Sequence, residues 1–342
     1  MLWRNVFRAA NLAGLLLVMS GMSVSAQGVV AKGCTDPAAS NYNKAVSIDD
    51  GSCVFPRTFH SPTGHKTLPA VLEEVSGTVY WQGALYMLND GGHPPAFCKV
   101  DTASGQVLQT ILLEGATNID WEELAQDDQY FYIGDFGNNY QGNRKNLVIY
   151  RVAKADIGAE AKVTIPAAAV QRIQFGYADQ TDFTPTAKSD ATAYDCEAMV
   201  VHKGSIHLFT KNWIGNHSRH YRLPAQPGVQ QAQLVDSVAT NDYIITGASL
   251  TPCGKLVFTA YTRTGFCSLL LVSYRETADG GLVLAGNRRL VQLPGAVGIG
   301  QLESITVDEQ QQAWMSSERI NQMGFKVSER FYPVALKAWL PQ

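Results

Sequence analysis

From Leu72 onward, short apolar or alternating runs are separated by clusters of Gly, Asn, Asp, Ser and Pro, and no long segment carries the three-to-four-residue apolar period of a helix. The pattern predicts an all-β chain. Within it a unit recurs: a polar residue heading a short apolar strand, a turn, a second strand that ends in polar residues, then a third strand. The first copy opens Glu74-Val75-Ser76-Gly77, continues through 84–88 and ends Asn89-Asp90-Gly91-Gly92. The second opens Asp120-Trp121-Glu122-Glu123 and ends Asp135-Phe136-Gly137-Asn138-Asn139. The third opens Asp195-Cys196-Glu197 and ends Lys211-Asn212-Trp213. A fourth covers 245–250 and ends at Arg263, and the fifth opens Leu302-Glu303-Ser304 and ends Glu318-Arg319.

The heading glutamates are separated by 48 residues (74 to 122), 75 (122 to 197) and 106 (197 to 303), with the glutamate-free fourth unit inside the last gap. A period of about 50 residues is that of a four-stranded propeller blade. The sequence therefore predicts a β-propeller with five recognisable blades and room for a degenerate sixth. An outer strand is expected over 172–177, and residues 56–71 are placed to close the ring on the last blade. A β-sandwich of the same strands would not require a polar residue at the head of every unit.

Blade topology puts the head of each first strand and the end of each second strand on one face. Glu74, Glu122, Glu197 and Glu303 are thus expected around one mouth of the channel. Asp90, Asp135, Asn139, Lys211, Asn212, Trp213, Arg263, Glu318 and Arg319 are expected on its rim. Carboxylates crowded into a partly dehydrated space repel one another, and a cation is the natural compensation. All-oxygen donors favour calcium over zinc or copper. Equally, each glutamate can accept backbone N–H groups of the next blade and act as a staple.

The first 26 residues have the form of a secretory signal: Arg4 and Arg8, an apolar run over 12–22, and Val24-Ser25-Ala26 before the cut. No later stretch is long and apolar enough to span a bilayer, so the expected setting is periplasm, cell surface or medium. Residues 27–55 are expected to form a small acidic module closed by a Cys34–Cys53 bridge, and residues 56–342 the propeller. Asp36, Asn41, Asn43, Asp49 and Asp50 within the module are either calcium donors or turn formers. Against 27 Lys and Arg stand 30 Asp and Glu, a net charge of −3 without a basic run. That balance argues against nucleic acid or an anionic membrane as the main partner.

Residues 33–53 resemble the G-C-x-D-P-x-A-x-N-Y-N…D-D-G-S-C segment that accompanies many secreted bacterial surface proteins. Asp120 to Glu123, Asp135 to Asn139 with Arg144 and the run 147–151, and Asp195 to Ala198 with 209–211 resemble a family of bacterial propellers with D-W-E-D, D-x-G-N-N…R…L-x-I-Y-R and D-x-E-A…L-x-T-K blades. Its fourth blade often opens T-G-A-D, where this chain has Ser249. The resemblance implies the propeller; more distantly the layout looks like calcium-dependent lactonase, esterase and phytase propellers.

No G-x-S-x-G, G-x-x-x-x-G-K, H-E-x-x-H or paired C-x-x-C is present. Two functions follow. One is a propeller that binds a small-molecule, protein or glycan ligand at the Glu-rimmed mouth; the other is a calcium-dependent hydrolase of lactones, esters or phosphoesters using Glu122, Glu197 and Glu303. His93 is a weak candidate base. His217 and His220 read as solvated residues of a polar hairpin loop. Tyr80 and Trp81 are aromatic candidates for the rim, while Trp121 and Trp314 read as packing between blades. Cys98, Cys196, Cys253 and Cys267 are either free or bridged.

Overall fold

A computed structural model describes residues 31–322 and 324–340; the signal sequence expected over 1–26 lies outside them. The strands sort into five antiparallel blades. Blade 1 is Val75–Trp81, Ala84–Asn89, Ala96–Asp101 and Val107–Leu113; blade 2 is Trp121–Gln126, Tyr130–Asp135, Leu147–Ala153 and Gln171–Tyr177. Blade 3 is Cys196–His202, Ser205–Thr210, His217–Pro224 and Gly228–Ala239. Blade 4 is Tyr243–Leu250, Lys255–Thr262, Cys267–Glu276 and Leu282–Gln292. Blade 5 takes Gln301–Val307, Gln312–Glu318 and Arg330–Ala335 from the end of the chain and its outer strand, Lys66–Thr67, from the beginning. The ring is closed by that pairing, as the position of residues 56–71 leads one to expect.

Tight turns such as Gln82-Gly83 and Lys203-Gly204, with both residues at positive φ, match the twist of the inner hairpins they join. First strands pack side by side around the channel in ring order. One apolar cluster fills each of the five seams between blades. Trp121 and Phe131 anchor the seam of blades 1 and 2, and Trp314, stacked on Tyr80 at 4.4 Å, lies in the seam of blades 5 and 1. Each such buried ring contributes about 1.5–3 kcal/mol.

The segment between blade 2's last two strands is longer than a loop needs to be because Lys162–Ile165 adds a fifth strand to blade 1. Thr58–Phe59 likewise extends blade 4. Before it sits the small module, closed by the Cys34–Cys53 bridge. Its oxygen side chains hold turns: Asp36, Asn43, Asp49 and Asp50 each accept the N–H two residues on, and Asn41 accepts that of Val54. The module docks on blade 4 through Asn287, which bonds both Asp49 and the Cys53 N–H, and through Lys255 on Asp36 at 3.2 Å. Cys98, Cys196, Cys253 and Cys267 are free thiols. Among the described residues no helix is long and apolar enough to cross a membrane.

Candidate metal centre

In every blade the ladder between first and second strand slips by one residue at the same height, leaving Ser76, Glu122, Glu197, Thr246 and Glu303 without a cross-strand partner. Such bulges re-aim the side chain of the extra residue. In blades 1 and 4 the extra residue is a hydroxyl tied to the next blade, Ser76 to the Trp121 carbonyl at 3.0 Å and Thr246 to that of Leu302 at 2.8 Å. In blades 2, 3 and 5 it is a buried glutamate. The expected four-glutamate ring is therefore corrected: Glu74 stands two residues ahead of its blade's bulge, on the outer lip, where its carboxylate meets His93 at 2.8 Å.

Of the residues just after the bulges, Gly77 and Gly247 lie against the first strand of the next blade, Ala198 packs in the seam of blades 3 and 4, and Ser304 bonds Thr78 and Ser316. A Cβ on Gly77 would lie 2.4 Å from the Leu124 nitrogen, and one on Gly247 2.6 Å from the Glu303 carbonyl, so both approaches require glycine. Into the remaining space goes Glu123, fully buried. Its carboxylate accepts the N–H groups of Leu124 (3.0 Å) and Ala248 (3.1 Å), while those of Met199 and Thr78 add weaker attraction. Burial pushes its pKa well up, against these four donors. The stapling glutamate is thus Glu123, which reaches strands of four blades.

The mouth itself gathers more acid than the glutamates alone. Carboxylate oxygens of Asp90, Asp120 and Glu122 lie within 4.8 Å of one another, as do those of Glu122, Asp195 and Glu197. Burial, then Asp90 and Asp195, raise Asp120 to about 7. Burial and the neighbouring Glu197, Asp90 and Asp120 push Glu122 well above the carboxylate range. Glu318 rises to about 9 through burial, then Glu303 and Asp90.

Partners divide this mouth into two halves. On the side of blades 3 to 5, Glu303 accepts Gln301 Nε2 at 2.6 Å and lies near Lys211. Burial works against the Lys211 ammonium, yet Glu197 (3.1 Å), Tyr261 and Glu303 hold it charged and well above the usual lysine range. Asp195 accepts the Asn138 N–H and Trp213 Nε1, both at 2.6 Å. On the blade 1–2 side no hydrogen-bond donor or cation among the described residues reaches Glu122, though it is only 4% exposed. Gly137 leans on this spot: a Cβ there would sit 2.1 Å from Glu122 Oε1 and 2.4 Å from Asp120 Oδ2. A buried carboxylate without a partner, beside an all-oxygen set held open by a glycine, fits a hard divalent cation.

The rim residues have distinct places. Asp135 is fully buried, binds Arg144 at 2.7 Å and accepts the Ile119 and Asp120 N–H groups, so it sets the turn that delivers Asp120. Asn212 holds the His217 carbonyl and Arg263 covers Trp213 at 4.8 Å. Asn139 offers its backbone carbonyl to Asp190, and Arg319 pairs with Glu73 on the outer lip. Asp120, Asp195 and Asn138 belong to the centre although sequence spacing singled out their neighbours. Tyr80 and Trp81 lie at the far ends of their strands and line a cavity of about 830 Å³ on the opposite face.

The histidine reading is also corrected. His220 is buried inside a strand, with Nε2 on His207 Nδ1 and Nδ1 on Asp236, both at 2.8 Å. Burial, then His220, lower His207 to about 3. Its folded value lies below the unfolded one, so its stability contribution is whole above about pH 6.5 and is lost as pH falls toward 3, on the order of 5 kcal/mol in all. His207→Phe should flatten this acid limb when melts of variant and parent are compared from pH 7 to 4; identical limbs would refute the assignment.

No protein-family model and no curated protein matches the chain. Among solved structures it is similar to regucalcin, a calcium-binding protein of Agrobacterium tumefaciens (11% identity, TM-score 0.37, 82% of this chain and 99% of that one). It is similar also to an exo-β-1,3-galactanase of Phanerochaete chrysosporium (9%, 0.49, 82% and 65%) and to Kuenenia stuttgartiensis hydrazine synthase (9%, 0.35, 70% and 61%). The chain spans less than two thirds of the galactanase and synthase chains. The propeller is read from the strand pairing itself.

Proposed function

We propose that this is an exported propeller that binds a divalent cation, calcium by donor chemistry, at Asp90, Asp120 and Glu122, and uses it to hold an anionic group of a ligand at the mouth. The observation that carries the proposal is the Glu122 carboxylate, buried and without a partner beside Gly137. Asp195 and Glu197 stand next to it as further donors. On the other side Lys211 takes the place of a cation: it pairs with Glu197 at 3.1 Å and lies near Glu303, which also accepts Gln301, so Glu303 stands outside the ligand set and Glu197 is shared between Lys211 and the ion. The disulfide and the signal-like N-terminus favour export.

Melting the mature chain in calcium and in chelator tests this. At a hundredfold excess over Kd, calcium should stabilise by about 2.7 kcal/mol, a Tm rise of about 3–6 °C. The rise should shrink between about pH 8 and pH 5.5, because protons compete for the same oxygens. Equal melts with and without calcium would refute the site.

A second reading rests on His93, held by Glu74 at the lip of the same mouth. There a histidine could serve as a proton acceptor, and a cation held by the mouth carboxylates would polarise a substrate oxygen, a pairing that would suit hydrolysis of lactones, esters or phosphoesters. Turnover of such substrates that is lost in His93→Gln, with the calcium melt unchanged, would decide for hydrolysis over binding alone.

A further inference from the structure

The mouth face carries an apolar collar that neither reading uses. Connections between the second and third strands of blades 2 to 5 each project one large apolar side chain: Tyr140 (73% exposed), Ile214 (68%), Phe266 (62%) and Phe325 (51%). Val297, on the connection into blade 5, joins them. These loops touch in sequence. Asp190 N–H to the Asn139 carbonyl and Trp213 N–H to that of Thr192 link the Tyr140 loop to the Ile214 loop. Arg263 to the Trp213 carbonyl, at 2.7 Å, links Ile214 to Phe266, and Ala296 N–H to the Gly265 carbonyl links Phe266 to Val297. The turn Ala296–Ile299 then packs on Phe325–Val327. The loops that carry these tips are joined in an arc, and exposed apolar side chains gathered on one face in this way mark an interaction surface.

Its basic residues identify the occupant. Lys145, Arg263 and Lys326 are exposed on these same connections and form no ion pair among the described residues, and no acid is exposed there; the links between blades carry Lys188 and the exposed acids Glu74, Glu114, Asp182 and Asp242. Along the sequence these cations are scattered, which speaks against an anionic membrane; the fold gathers them on one face. Separate tips, one per loop, suit a fluid surface better than a shaped protein groove, and a second copy would set acidic mouth against acidic mouth. Apolar tips with interspersed cations are the composition that settles into the boundary of headgroups and acyl chains. We infer that the mouth face docks on an anionic phospholipid bilayer, the collar entering the interface while the bound cation takes a headgroup phosphate as its outer ligand. The docking rests on the cation site proposed above.

Co-sedimentation of the mature chain with phosphatidylcholine vesicles, with and without phosphatidylglycerol, tests this in calcium and in chelator. Binding is expected with phosphatidylglycerol in calcium and release in chelator. The double variant Ile214→Ser, Phe266→Ser should keep its calcium-dependent melt but bind these vesicles at least about tenfold more weakly, from the apolar area removed. A calcium shift in the melt without sedimentation would overturn the docking alone, as would undiminished binding by the double variant. No calcium shift at all would bring down the cation site and the docking with it. A dimer in light scattering that the double variant dissolves would reassign the collar to self-association.

Discussion

Replacing Glu123 with Ala should cost this protein at least about 4 kcal/mol, more than any other single polar change in the channel, because two directly bonded N–H groups and two nearby ones lose a buried acceptor together. Against a total stability of about 5–15 kcal/mol this removes between a quarter and most of the margin. Glu123→Gln is the informative companion. It keeps one oxygen acceptor but turns an NH2 toward donors, so it should fold and melt well below the parent. A Glu123→Ala chain that melts within about 2 °C of the parent would show that the blades do not depend on this carboxylate.

The neighbouring residue should behave in the opposite sense. Glu122 has no donor and faces Glu197, Asp90, Asp120 and Asp195, so Glu122→Gln removes a repulsion and raises Tm in chelator by on the order of a few degrees. Because its folded pKa lies above the unfolded one, the native glutamate is harmless below the unfolded pKa and costs stability as pH rises through the folded value. The benefit of Gln should therefore grow from about pH 5 to pH 8 in chelator. In calcium the variant should lose the cation-dependent rise altogether. A full calcium response in Glu122→Gln would place the ion elsewhere. Two adjacent glutamates, one stabilising and one destabilising without its ion, make a sharper test than either alone.

Much of the architecture is legible in the residue pattern. Alternation with Gly-containing turns marks strands such as Ala84–Asn89 and Tyr130–Asp135, and the recurrence of the unit gives five blades. Glu122, Glu197 and Glu303 are found because a carboxylate heading an apolar strand is conspicuous. Ser76 and Thr246 occupy the same structural position but look like any strand hydroxyl, and so Glu74 stands in for the first of them. A slip in register leaves no mark in residue type. Glu122 and Glu123 cannot be told apart by alternation either, since the bulge cancels the rule that neighbours face opposite sides. His207 and His220 are 13 residues apart and meet across two strands, whereas the eye pairs His220 with His217. Tyr80 and Trp81 are misplaced because their face depends on which end of the strand they occupy.

The donation of Lys66–Thr67 to blade 5 bears on the order in which the chain can fold. Residues near the N-terminus emerge first, yet their partners around Arg330 come last, so the final seam waits for the whole polypeptide. Contacts this distant along the chain make folding slow and leave a raw sheet edge on every unfinished intermediate. A nascent chain stopped short of Arg330 would present that edge to its neighbours, and quality control would meet it as a sticky open ring.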